Sequence, residues 1–143
     1  MSAALSSLLL PMLAHIGLIV GLYAWLTFAR AAAVGRGEVA YAAFEFGREE
    51  PPAVARITRN LANQFELPVL FYAIGVLLIA LGRVTALDLI AAWVFVLGRI
   101  VHTVVQTLTD DVRLRGRVFM INFLAILVLV GHVGLLALDG VGR

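Results

Sequence analysis

The sequence predicts an all-α fold: an integral membrane bundle of four helices running up and down. Three observations carry that prediction. The chain has 143 residues, the length of one domain. It is 62% hydrophobic and only 14% charged, with a mean hydropathy of +1.01. A soluble domain of this size could not hide so much apolar surface, so its solvent is largely lipid. The apolar residues also fall into runs of about the ~20 residues a helix needs to cross hydrocarbon, divided by polar turns.

The first run, about residues 5–29, lies in a stretch without formal charge. A cleaved signal peptide is the alternative, with Ala31-Ala32-Ala33 imitating a cleavage site. The start carries no Lys or Arg, and the run exceeds the ~7–15 residues of a signal core, so a span is the better reading. The segment from Gly35 to Pro52 is polar and holds Arg36, Arg48 and glutamates. Pro51-Pro52 closes it and suits the start of a helix. The second span covers about residues 54–81, and Gly82-Arg83-Val84-Thr85 makes a short turn. The third covers about 87–108. Thr109-Asp110-Asp111 then forms a helix-capping cluster. The fourth, about 113–138, carries Arg113, Arg115 and Arg117 in its polar first turns. Short connections make neighbouring spans antiparallel. A Gly17-x3-Gly21 pattern on the first span is a signal for close helix packing.

Charge sets the expected orientation. All eleven basic residues are arginine. The first and third loops and their flanking helix ends hold Arg30, Arg36, Arg48, Arg56, Arg59, Arg113, Arg115 and Arg117, while the opposite side has Arg83 and Arg143. The positive-inside rule puts those two loops in the cytoplasm and both termini outside. Basic and aromatic residues do not interleave along a groove, so the arginines read as membrane-surface or anion-binding groups and no nucleic-acid partner is expected. The chain has no cysteine, which excludes disulfides, a thiolate nucleophile and Cys-based metal sites. No pair of histidines or carboxylates has metal-binding helical spacing, so no metal is expected. His15 and His132, alone on apolar helices, read as interhelical hydrogen-bonders.

Polar residues inside the spans carry the functional expectation. On the second span Arg59, Asn63 and Glu66 fall at i, i+4, i+7, and on the third Arg99, His102 and Gln106 at i, i+3, i+7. Each set makes one stripe that lipid would reject, so the stripes should face each other or a wet recess. The simplest pairing is Glu66 with Arg99. A purely structural reading, in which the pair only fixes helix register, competes with the functional one. Pro68 removes a backbone donor and should kink the second span, freeing a carbonyl near residues 61–64.

These residues resemble the MAPEG family, the membrane-associated proteins of eicosanoid and glutathione metabolism. Arg59, Asn63, Glu66 and Pro68 are similar to its second-helix pattern Arg-x3-Asn-x2-Glu followed by Pro. The wording from Asn60 to Tyr72 is similar to bacterial members. Gly98, Arg99, His102 and Thr103 match its third-helix G-R-x2-H-[ST], and Arg115 stands at the family's offset from Arg99. The resemblance implies a homotrimer with sites between subunits near the cytoplasmic side, and a glutathione-dependent transferase or peroxidase acting on lipophilic electrophiles. Carried over by residue, Arg115 would stabilise the glutathione thiolate. Asn63 and Glu66 would hold the amino and peptide groups, and Arg59 and Arg99 would order the site. Arg30, His102, Gln106, Arg113 and Arg117 are further binding candidates. Gln106 stands where eukaryotic members place a tyrosine, and Asp110-Asp111 where bacterial relatives often have Asn.

The chemistry fits independently. Glutathione has two carboxylates and an ammonium, and guanidinium forks bind carboxylates bidentately. A cation near a thiol of pKa ~8.5 favours the nucleophilic thiolate. The alternative is a non-catalytic member of the same fold that binds lipid or a partner in the intersubunit groove. A small transporter or proton path through Glu66, Arg99 and His102 is a weaker third, because the titratable groups are few.

Overall fold

The computed structural model describes residues 3–45 and 49–141, with side chains over 8–45 and 49–139. Arg48 and Arg143, both counted in the charge argument, lie outside the described residues. Helix α1 spans Ala3–Gly35, α2 Pro52–Ala62, α3 Leu67–Ala80, α4 Ala86–Leu108 and α5 Val112–Val141; a 3₁₀ turn at Asn63–Phe65 joins α2 to α3, and another at Tyr41–Phe44 lies in the first loop. No strand occurs among the described residues. Among the described residues four segments are long and apolar enough to cross a membrane: Leu8–Gly35, Pro52–Ala80, Ala86–Leu108 and Val112–Asp139. The second therefore comprises α2, the turn and α3.

Each helix buries one stripe and gives the rest to lipid. On α1 the enclosed residues are Leu8, Met12, His15, Leu22, Leu26 and Ala33, the three- and four-residue steps of a single helical face. Its other faces expose Leu10, Leu13, Val20 and Phe28, which a lipid solvent makes costless. Helix α4 is the most enclosed, touching α1, α2 and α5, while α3 packs on α1 and α5. One apolar cluster gathers Leu8, Met12, Phe71, Leu78, Phe95, Ile126 and Leu129; a second gathers Leu22, Leu26, Val54, Ile57 and Leu61. Phe71 stacks on Phe95 with ring centroids 4.6 Å apart.

The second span breaks where Pro68 requires it. Glu66 adopts φ −97°, ψ −101° between the 3₁₀ turn and α3, and Pro68 sits in the first turn of α3, where a missing N–H costs nothing. Between α4 and α5 the helices approach closely at Gly98. A Cβ there would lie 1.9 Å from Asn122 Oδ1, so only glycine admits the buried amide. Gly17 and Gly21 behave differently: a Cβ on either meets nothing within 4 Å. The close packing expected of that pair is not made within the chain.

Both short turns are capped, the second by the cluster the sequence suggests. Thr85 and Asp88 form a reciprocal capping box at the start of α4. Asp111 Oδ1 accepts from the Leu114 N–H at 2.8 Å to start α5. His132 of α5 donates from Nδ1 to Asp88 at 2.9 Å, and His15 reaches Tyr72 and Gln64. Both histidines are the interhelical hydrogen-bonders the sequence suggested.

Candidate functional site

Between the two apolar clusters lies a polar network centred on Gln64. Its Oε1 accepts from Arg99 Nε at 3.0 Å and from His15 Nε2 at 3.1 Å. Its Nε2 donates to the Asn60 carbonyl at 3.2 Å, and Tyr72 donates to His15 Nδ1 at 2.7 Å. Arg99 is 1% exposed and donates a second bond, from Nη2 to the Asn63 carbonyl at 2.9 Å. That carbonyl lies in the 3₁₀ turn before Pro68. A guanidinium buried in the bundle is thus held by a side-chain amide and a backbone oxygen, as intramembrane charges often are.

This corrects one sequence expectation. Arg99 and Glu66 make no ion pair among the described residues, and Glu66 is exposed. The reason is the break itself: at Glu66 the backbone leaves helical geometry, so i+7 spacing no longer keeps Glu66 on the stripe of Arg59 and Asn63. The sequence reading passed over Gln64, Asn60 and Tyr72. A signal for the first two existed, because Val54, Ile57 and Leu61 are buried and continuing their phase points to Gln64.

At the loop end of α2 and α4 the network opens into a cleft. A hollow of about 370 Å³ is lined by Arg56, Arg59, Gln106, Asp110, Asp111 and Arg115 among others. A second, of about 380 Å³, shares Arg59, Gln106 and Arg115 and adds Asn63, His102 and Phe119. The helices place these groups by simple spacing: Arg59 and Asn63 one turn apart at the end of α2, His102 and Gln106 one turn apart on α4, Arg115 in the first turns of α5. Asn63 Nδ2 donates to Gln106 Oε1 at 2.9 Å, which leaves the Gln106 amide nitrogen without a partner; His102 Nδ1 is likewise buried and unpartnered. Arg59 is exposed and Arg115 half-buried. Neither guanidinium pairs with a carboxylate among the described residues.

The carboxylates at the mouth are already engaged. Asp110 pairs with Arg56 and Asp111 caps α5. Of the sequence candidates, the cleft gathers Arg59, Asn63, His102, Gln106 and Arg115, with Arg99 buried behind them. Arg113 and Arg117 are exposed and do not line it. Arg30 binds Glu50 and Thr58, and its guanidinium lies over the Phe44 ring at 5.0 Å, fastening the first loop to α1 and α2. No group of three or more potential metal ligands occurs among the described residues.

The arrangement suits an anion with several acceptors: two unpaired guanidiniums, a free amide N–H₂ and an imidazole nitrogen, with an aromatic ring beyond. The MAPEG family model matches residues 8–135, nearly the whole chain. No curated protein and no solved structure matches it. The match, together with four apolar helices of spanning length, identifies the chain as an integral membrane protein of the MAPEG family, whose members are glutathione-related transferases and peroxidases.

Proposed function

We propose that the protein is a glutathione-dependent transferase or peroxidase acting on lipophilic electrophiles at the cytoplasmic side of a bacterial inner membrane. The observation that supports this most is the pair of guanidiniums, Arg59 and Arg115, unpaired among the described residues and lining one hollow with the unpartnered nitrogens of Gln106 and His102. A buried donor without an acceptor costs ~1–3 kcal/mol; a bound peptide with carboxylates and carbonyls would relieve it. In this reading Arg59 takes a carboxylate and Arg99 holds Asn63 in place through its backbone oxygen. Arg115 stabilises the sulfur anion. Glutathione supplies the nucleophilic thiol. With a chlorodinitrobenzene reporter a carbon–sulfur bond forms, chloride leaves and the thiol proton goes to solvent.

The site also fits an assembly. Glu66 is exposed outside the single-chain cleft, and the cleft itself is open. A homotrimer would cover it with a neighbouring copy and let Glu66 meet the glutathione ammonium across that boundary. An apolar second substrate would enter from lipid past Phe119.

The test is calorimetric titration of glutathione into detergent-solubilised protein, with chlorodinitrobenzene conjugation followed in parallel. Saturable binding is expected, and Arg115→Ala should lower the conjugation rate by ~10²-fold, the scale of losing one charge-stabilising donor. Absence of saturable binding up to millimolar glutathione removes the reading and leaves a lipid-binding member of the same fold.

A further inference from the structure

The turn from α3 to α4 lies at the other end of the bundle, the full length of α4 away from the cleft. Both of its sides are fastened. Gly82 adopts φ 64°; its N–H donates to the Ile79 carbonyl and that of Arg83 to the Leu78 carbonyl, each at 3.1 Å. This paired closure of a helix end uses the left-handed conformation that glycine permits. On the α4 side, the Thr85 N–H and hydroxyl both donate to Asp88 Oδ2 at 2.7 Å, and His132 ties the same carboxylate to α5. Arg83 is held between these two closures. Its backbone is fixed, while its side chain is exposed and has no partner among the described residues.

Beside it, α3 and α5 leave a hollow of about 340 Å³ lined by Leu77, Leu81, Val133, Leu136 and Ala137, with Arg83 the one charged residue in its lining. We propose that this hollow is a phospholipid site, with an acyl chain between α3 and α5 and the phosphate on the Arg83 guanidinium. The charges complement one another. A guanidinium presents a planar fork that matches phosphate, and no side-chain carboxylate among the described residues pairs with it. Asp88 is 0% exposed and committed to Thr85 and His132. Asp139, exposed on α5, makes no ion pair with Arg83. A cation on a rigid turn loses less freedom on binding than one on a loose loop, which favours a lasting lipid over ordinary solvating lipid.

Native mass spectrometry of the full chain in detergent tests this, with phosphatidylglycerol, diacylglycerol of the same chains and inorganic phosphate as probes. Phosphatidylglycerol should stay bound and diacylglycerol should not. Arg83→Gln, which breaks no ion pair among the described residues, should lower retention by about fivefold, the effect of one arginine near a membrane surface. Ala137→Trp should fill the hollow and remove binding with Arg83 intact. Circular dichroism checks that both variants keep their helix content. Equal retention of the two lipids, unchanged retention in Arg83→Gln, or displacement of the lipid by inorganic phosphate alone would each overturn the proposal. So would a hollow found covered by a second copy of the chain. None of these results depends on glutathione binding at the other end.

Discussion

Gln64 uses both ends of its amide. The oxygen takes protons from Arg99 and His15, and the nitrogen gives one to Asn60. Replacing it with leucine leaves two buried donors without acceptors, each costing ~1–3 kcal/mol. Gln64→Leu should therefore lower the thermal midpoint in detergent by several degrees. Glu66→Gln should barely move that midpoint, because Glu66 is exposed and unpaired among the described residues; in the proposed trimer it should instead weaken glutathione binding. A Gln64→Leu variant as stable as the parent would show that the network is not what holds Arg99. A polar residue is conspicuous in an apolar run, but which one turns inward depends on helical phase. Phase is lost at the break before Pro68, so the spacing that brings Arg59 and Asn63 to the cleft does not carry on to Glu66, and Arg99 meets Gln64 instead.

At the scale of helices, the contact of α4 with α5 rests on one absent methyl group. Asn122 is 0% exposed with neither amide atom bonded, and its oxygen occupies the space a Gly98 side chain would need. Small residues let membrane helices approach where no hydrophobic drive separates protein from lipid. Gly98→Ala should cost ~1–3 kcal/mol, the usual penalty of overpacking. Adding Asn122→Ala should recover most of that loss, read as a thermal midpoint closer to the parent than the single variant gives. If the double variant is no more stable than Gly98→Ala alone, the clash is not the cause. This coupling was not legible in the sequence. Gly98 stands there within a third-helix motif, and Gly17-x3-Gly21 offers the stronger packing signal; the motif says nothing of a partner twenty-four residues on. The Thr109-Asp110-Asp111 cap was legible, because Asp-x2-Leu satisfies its own helix end and needs no distant partner; the Thr85–Asp88 box, read only as a turn, was not.

Across the whole molecule, the two ends of the bundle differ in kind. One end gathers Arg56, Arg59, Arg115 and the half-buried amides. The other presents Arg83 alone among the described loop residues, beside a carboxylate already closed by Thr85 and His132. Runs of apolar residues revealed the spans because lipid imposes the same demand on every turn of a helix. An orientation is different: it depends on the arginine count at each end, and for short loops that count decides. In the reading proposed above the arginine-rich end is cytoplasmic. The natural absence of cysteine makes this directly measurable with single substitutions. Ala40→Cys lies in the first loop at an exposed position and Arg83→Cys in the second. A membrane-impermeant maleimide applied to intact spheroplasts should label Arg83→Cys and spare Ala40→Cys, and inverted vesicles should give the reverse. Arg83→Cys removes a positive charge from the end taken to be outside, so it strengthens the expected orientation and cannot by itself invert it. Labelling of Ala40→Cys in spheroplasts would place the cleft on the outer face, away from the cytoplasmic pool of thiol, and the proposed conjugation chemistry would lose its supply of glutathione.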